Sequence, residues 1–465
     1  MKYKHTEFDE LVKPYYDEFR KSLDEFVSID SQYDESTVDK DNPFGKGVTR
    51  ALNYIYDLAK KDGFKVTNYD NMVVEILCGE GNKNITILAH ADVVPEGKGW
   101  NQDPFKVKEE NGVLTGRGVS DDKGPLLQTY YALKALRDHD MLGNYLIRFI
   151  VGGNEESGSR GVIHYFEDLK KEESTLGFSP DAEYPLIYAE KGIRNFLIKG
   201  QLHLDNVLSI HGGLASNSVL EECVLRIKNR DDKLIDLFKN EIKDLNIQPN
   251  HDGSYSLFVR GKSAHGSTPE LGVNAGILVL NVLNKYYDSK ELKHILDCFS
   301  DVYGRGIDAY DQSVNMDNQQ TSMNVGILDF DGKEIKLVIN YRYLDTTDIE
   351  KVTKKIINKV SPLEVEVVAD APLLFYPKDH PLIQTLLKAY QEETGDYQTP
   401  IKAIGGGTYA KETNNCVAFG AEFPLWDSKM HGVGEGSRLD DIYKSMAIYA
   451  RAIKELGNLL EKDEN

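Results

Sequence analysis

The chain has 465 residues, 40% hydrophobic and 28% charged, a balance that suits a soluble globular protein with a core large enough for an enzyme. Its formal net charge is -20, from 75 acidic and 55 basic residues; this argues against nucleic acid as a partner, because phosphate binding wants a basic surface, and against docking on an anionic membrane. The N-terminal stretch has no apolar signal core, no apolar run approaches the ~20 residues of a membrane span, and Cys78, Cys223, Cys298 and Cys416 form no CxxC pair, which together predict a cytoplasmic protein with buried free thiols.

From the N-terminus, Phe8, Leu11, Tyr15, Phe19 and Leu23 recur at three- and four-residue steps and predict a helix, with a second near Thr49–Lys61. Ile85–Ala89 reads as a buried strand ending in His90, Leu126–Leu136 as a helix, and Leu146–Gly152 as a strand before Asn154-Glu155-Glu156. Alternation of strand, loop and helix indicates an α/β sheet with helices on its faces. After about Lys191 the style changes. Val219–Ile227 and Ser254–Val259 read as strands, Asp232–Leu245 as a helix, and Gly272–Phe299 as one longer helix. Asn324–Phe330 and Ile335–Tyr343 read as a hairpin around Asp331-Gly332, followed by helix Thr347–Val360 and strand Glu364–Val368. From Pro381 the first style resumes, with helix Leu382–Glu393, a glycine loop at 405–407, strand Cys416–Phe419 and helix Asp440–Leu456. The expected architecture is therefore α/β: a discontinuous catalytic domain (1–193 and 377–465) with a mixed sheet flanked by helices, interrupted by a two-lobed α+β domain (194–376).

Five short clusters carry chemistry: His90-Ala91-Asp92, Gly118-Val119-Ser120-Asp121-Asp122, Asn154-Glu155-Glu156, Ser179-Pro180-Asp181, and Met430-His431-Gly432. Each alone has a plain structural reading. A histidine at a strand end is more often merely hydrogen-bonded. Asp121 or Asp122 also suits the N-cap of the following helix, and Glu155-Glu156 also suits a polar turn. Together they supply carboxylate and imidazole donors, four of the five at strand-to-loop junctions, where α/β sheets build their sites. That mixture suits Zn²⁺, Mn²⁺ or Co²⁺ better than soft metals.

The motifs HADVVPEGKGW, GRGVSDDKGP, GGNEESGS, PDAEYP, EKG, GKSAHGSTPELGVNAG, INYRYL, GGGTYA and MHGVGE, in this order over nearly the whole chain, resemble the M20 metallopeptidase family, and within it the PepV-like bacterial dipeptidases. The resemblance implies a zinc-peptidase-like catalytic domain and an enlarged lid. It makes His90 and Asp181 ligands of one divalent cation, Glu156 and His431 ligands of a second, and Asp121 the bridge, with a cis peptide bond after Asp121. Glu155 matches the general base, and Asp92 the carboxylate orienting His90. In the lid, His265 matches the histidine that supports the oxyanion, Asn217 a residue near the substrate, and Arg342 the holder of the substrate carboxylate, a task suited to its planar fork. The pattern departs at Lys411, where relatives commonly carry arginine, and at Ser218-Val219-Leu220-Glu221, where relatives often carry Met-Val-Pro-Asp.

The resemblance further implies hydrolysis of the peptide bond in short peptides. Glu155 takes a proton from a water activated by two cations, Zn²⁺ or Mn²⁺ with Co²⁺ as the alternative, and returns it to the leaving amine. Arg342 and the backbone of Gly405, Gly406 and Gly407 anchor the C-terminal carboxylate, and Asp181 favours a free amine. A site gripping both ends selects dipeptides. The enlarged lid implies a monomer, and the acidic charge balance noted above argues against a nucleic-acid or membrane partner. Two rivals remain at this level. An N-acyl-amino-acid amidohydrolase would use the same metals without recognising a substrate amine. A non-catalytic metal-dependent peptide binder would have no use for Glu155.

Overall fold

The computed structural model describes residues 3–305, 316 and 319–462; the outer ends of the expected domains, residues 1 and 465, lie outside them. The chain divides into two compact units. The first comprises Met1–Ala189, Leu374–Lys402 and Thr408–Asn465; the second comprises Glu190–Leu373 and Ala403–Gly407.

The first unit is built on a mixed sheet. From one edge its strands run Lys65–Tyr69, Val73–Gly79, Leu146–Gly152, Asn84–His90, Leu176–Ser179, Cys416–Ala418, Ile187–Glu190 and Leu374–Phe375. The four central strands, from Leu146–Gly152 to Cys416–Ala418, are mutually parallel. Asn84–His90 is buried along its full length, as expected of a parallel strand covered on both faces. Ile85, Ile87 and Leu88 are fully buried and each contributes roughly 1.5–3 kcal/mol of hydrophobic stabilisation, which fixes the end of the strand where His90 stands. Helix Lys123–Asp138 is buried from Lys123 to Leu136 and packs against the long C-terminal helix Leu439–Lys462.

The N-terminal helical stretch is broken. Glu7–Val12 starts at a capping box formed by Thr6 and Asp9, and a 3₁₀ turn at Lys13–Tyr15 separates it from helix Tyr16–Val27. Pro14 explains the break, since its ring removes a backbone donor and clashes with the preceding turn.

The second unit is one eight-stranded antiparallel sheet. Its order is Leu245–Pro249, Tyr255–Arg260, Glu222–Ile227, Val207–Gly212, Ser322–Phe330, Glu334–Tyr343, Gly192–Gln201 and Glu364–Ala371. The two expected lobes are two four-stranded halves that join between Val207–Gly212 and Ser322–Phe330. Helices Asp232–Glu241, Ala275–Tyr286, Lys290–Phe299 and Ile349–Val360 contribute to a single hydrophobic core. The expected helix Gly272–Phe299 is therefore two helices. Ser289 caps the second through Leu292 N, because a serine side chain there competes with the continuing helix for backbone donors. Likewise, the helix expected over Asp232–Leu245 ends at Glu241, and Leu245–Pro249 forms an edge strand instead. Among the described residues no helix is long and apolar enough to cross a membrane.

Candidate metal centre

Parallel strands bring their carboxyl ends to one edge of a sheet, and this edge collects the donors. His90 is the last residue of its strand and lies in register with Gly152 of the neighbour. Beyond Gly152 come Glu155 and Glu156. Leu176–Ser179 runs parallel on the other side and leads to Asp181. Cys416–Ala418, parallel again, leads towards His431. Asp121 arrives from the loop preceding helix Lys123–Asp138. Thus the central strands and one helix N-terminus deliver all five predicted ligands to one place.

Asp121 lies between the two histidines. Its Oδ1 is 3.0 Å from His90 Nε2, and its Oδ2 is 2.8 Å from His431 Nε2. His90 Nε2 is also 3.7 Å from Asp181 Oδ2, and His431 Nε2 is 3.2 Å from Glu156 Oε2. Asp121 thus faces His90, which neighbours Asp181, with one oxygen and His431, which neighbours Glu156, with the other. Potential ligand atoms of His90, Asp121 and Glu156 lie within 4.8 Å of one another, as do those of His90, Glu155 and Asp181. Glu155 therefore lies beside His90 and Asp181. The Asp121–Asp122 peptide bond is cis.

The electrostatics favour a cation here. Burial alone would raise the Asp121 carboxyl, but hydrogen bonds from His431 and His90 hold it well below the usual range. Burial, helped by the negative charges of neighbouring carboxylates, pushes Glu155 and Asp181 well above their ordinary values and raises Glu156. Hydrogen bonds to Asp121 and Glu156 raise His431 to about 11 against the opposing effect of burial. For His90 burial lowers the value, yet the bonds to Asp121 and Asp92 outweigh it and leave it raised. Glu156 Oε1 is buried and accepts no hydrogen bond. Oxygen and imidazole donors, crowded negative charge and an orphaned carboxylate oxygen all fit divalent cations.

Asp92 meets the His90 ring through both its main chain and its carboxylate. The Nδ1 atom of His90 bonds the main-chain carbonyl of Asp92 at 2.9 Å, while the nearer carboxylate oxygen stands 3.5 Å away. Nδ1–H donation to that carbonyl leaves Nε2 facing Asp121 Oδ1. The Asp92 carboxylate also accepts the N–H groups of Glu155 at 3.0 Å and Glu156 at 3.2 Å. Asp122 occupies the N-cap position of its helix without a side-chain cap. Its carboxyl turns to the His90 N–H at 3.1 Å, and burial pushes it up to about 8.

Sequence reasoning missed Arg117 and Glu435. Both are fully buried and paired with each other directly behind Asp121. The signal lay in the motifs themselves, each placing a charged residue among glycines.

The second unit gathers the remaining predicted residues. Arg342 is almost fully buried. Its Nε donates to Asn340 Oδ1 at 2.9 Å, and Nη1 donates to the Gly405 carbonyl. Asn340 in turn donates to Asn195 at 2.7 Å. On the adjacent strand, Asn324 donates to the carbonyls of Ser216 and Ser218, at 3.1 and 2.8 Å, and so holds the turn carrying Asn217. The Asn217 carbonyl accepts the Gly266 N–H at 2.6 Å, and the ring of the neighbouring His265, an exposed residue, bonds Ser267 Oγ at 2.6 Å. A Cβ on Gly405 would stand 2.7 Å from Ser267 Cβ, so glycine is needed there. Gly406 and Gly407 complete the same segment. Burial lowers Arg342 to about 10. Among the described residues no carboxylate pairs with it. Lys191, also missed from the sequence, is lowered to about 8 by burial and by the charge of Arg342. Two buried cations close together form a natural anion site.

A mixed sheet with imidazoles and carboxylates at its carboxyl edge is the architecture of a metal-dependent hydrolase. The chain belongs to peptidase family M20/M25/M40, whose sequence pattern matches residues 86–455, and so is a hydrolase acting on peptide bonds. It is 34% identical over 453 residues to YtjP of Bacillus subtilis (strain 168), covering 94% of this chain and 96% of that one. It is 33% identical over 468 residues to the Beta-Ala-Xaa dipeptidase of Lactobacillus delbrueckii subsp. lactis, covering 97% and 98%. The fold is shared with an M20 family metallo-carboxypeptidase, Sso-CP2 from Sulfolobus solfataricus, at TM-score 0.58 and 18% identity over 95% of this chain and 99% of that one.

Proposed function

We propose that this chain is a dinuclear metal-dependent dipeptidase. The observation that carries the reading is Asp121, whose two oxygens face His90 and His431 separately. His90 and Asp181 would hold one cation, His431 and Glu156 the other, and Asp121 both; Zn²⁺ and Mn²⁺ suit the donors, with Co²⁺ as the alternative. When bound, the cations lower the pKa of water and polarise a carbonyl.

The side chains supply the rest. Glu155 is the general base: it takes the proton of the attacking water and delivers it to the leaving amine. Asp92 fixes the main chain of Glu155. We assign the substrate carboxylate to Arg342, with Gly405, Gly406 and Gly407 shaping its surroundings and Asn217 beside them. His265 is assigned the developing oxyanion, and Asp181 the free amine. The name of the Lactobacillus relative supports dipeptides as the substrate class.

We assign the active species to a single chain of 52.4 kDa and its compartment to the cytoplasm, supported by four buried free cysteines. The test compares an unblocked dipeptide with its N-acetylated form. A dipeptidase should hydrolyse the first rapidly and the second little. Preference for the acetylated form would favour the amidohydrolase, and tight binding without hydrolysis the non-catalytic binder.

A further inference from the structure

Glu435 lies four residues beyond His431 and is 0% exposed. Its Oε1 accepts the N–H groups of Gly118, Ser120 and Asp121 at 2.9, 3.0 and 3.2 Å. Its Oε2 accepts Arg117 Nη1. Four N–H donors thus converge on its two oxygens. Arg117 is 1% exposed. Its Nη2 lies 3.3 Å from the carbonyls of Pro95 and Glu96, and 3.4 Å from those of His431 and Gly432. One buried ion pair thus touches three segments: the loop after His90, the loop presenting Asp121, and the loop carrying His431.

The His431 loop needs such support. The His431 side chain is 53% exposed, so packing restrains it little. Its backbone sits at φ 61, and Lys429 and Gly434 also have positive φ, a conformation that the surroundings must over-determine for a non-glycine residue. His90, by contrast, ends a fully buried strand and has its position fixed by the sheet.

We propose that Glu435, acting through Arg117, is a positioning residue that sets His431 against Asp121 and thereby builds the cation pocket these two share with Glu156. The inference rests on the two-cation reading. An amide at this position cannot accept from all four donors, because its NH₂ group must face either Arg117 or the loop N–H groups. Glu435→Gln should therefore loosen the link between the two loops while leaving the His90 side intact.

The experiment titrates the chelator-stripped, full-length protein with Zn²⁺ in competition with a chromophoric chelator. Unfolding of the stripped protein is followed in parallel. Partners behind metal ligands typically change metal affinity ~10–100-fold. For Glu435→Gln, that loss is expected in one equivalent only. The other equivalent should stay near wild type, while the stripped single variant unfolds at a lower midpoint. Because Glu435→Gln leaves Arg117 buried without its counter-ion, the double variant Arg117→Met/Glu435→Gln is the second probe, since removing both charges avoids that penalty. It should show the same one-sided loss, and when stripped it should unfold nearer the midpoint of wild type. Two equivalents of unchanged affinity in either folded variant would overturn the proposal, as would equal weakening of both equivalents. A wild-type protein that binds only one equivalent would instead overturn the two-cation reading beneath it.

Discussion

The carboxylate of Asp92 accepts the main-chain N–H of Glu155 at 3.0 Å. The residue that receives the His90 ring on its carbonyl thus also fixes the start of the Glu155-Glu156 turn, so a ligand and the proposed base share one anchor. Glu155 itself is assigned no cation. Glu155→Ala should keep the metal content of the wild type and lose roughly 10²–10⁴-fold in turnover, the usual share of a general acid–base group. Metal analysis beside steady-state kinetics decides it, and turnover within a few-fold of wild type would remove the assignment.

Asp121 and Asp181 should separate under the same treatment. Asp121→Ala removes a donor from both pockets and is expected to weaken both equivalents. Asp181→Ala removes a donor from the His90 pocket alone and should weaken one. Tight retention of two equivalents by Asp121→Ala would contradict the shared carboxylate.

Metal loading should release protons. In the metal-free chain His431 is raised to about 11, so its ring is protonated at pH 7, and an imidazole must be neutral to bind metal. Affinity should accordingly fall as pH falls and rise with increasing pH. Calorimetry in buffers of different ionisation enthalpy reads the released protons directly; a heat independent of buffer would contradict this. The same shift fixes a sign for the stripped protein. The pairing of His431 with Asp121 and Glu156 stabilises its fold fully below the ordinary histidine value of 6.5 and is lost as pH rises through about 11.

Arg342 should act on substrates that carry a free carboxylate. Hydrogen bonds to charged groups are worth ~1.5–3 kcal/mol. Arg342→Ala should therefore lower kcat/KM about 10- to 100-fold on a dipeptide, mostly through KM, and much less on the same dipeptide with an amidated C-terminus. Arg342→Lys keeps the charge without the fork and should fall between. An equal effect on both substrates would point to a packing role.

The parts of the site legible in the sequence were those that sit at the ends of apolar strands. His90 and the Glu155-Glu156 pair follow buried runs whose parallel pairing forces them to one edge, and Asp181 follows a shorter one. The further contact of the Asp92 carboxylate with the N–H groups of Glu155 and Glu156 was not legible, because it depends on loop geometry. Arg117 and Glu435 were hidden for another reason. They are 318 positions apart, and nothing in spacing announces an ion pair over that separation. The break between Tyr286 and Lys290 was missed because apolar periodicity continues across it and only Ser289 marks the new start.

The most direct test of the central claim is a titration of the chelator-stripped protein with Mn²⁺ or Zn²⁺ while hydrolysis of an unblocked dipeptide is recorded. A dinuclear centre predicts no hydrolysis at zero metal and a plateau once two equivalents are bound per chain. Hydrolysis that survives stripping, or full activity at one bound equivalent, would contradict it.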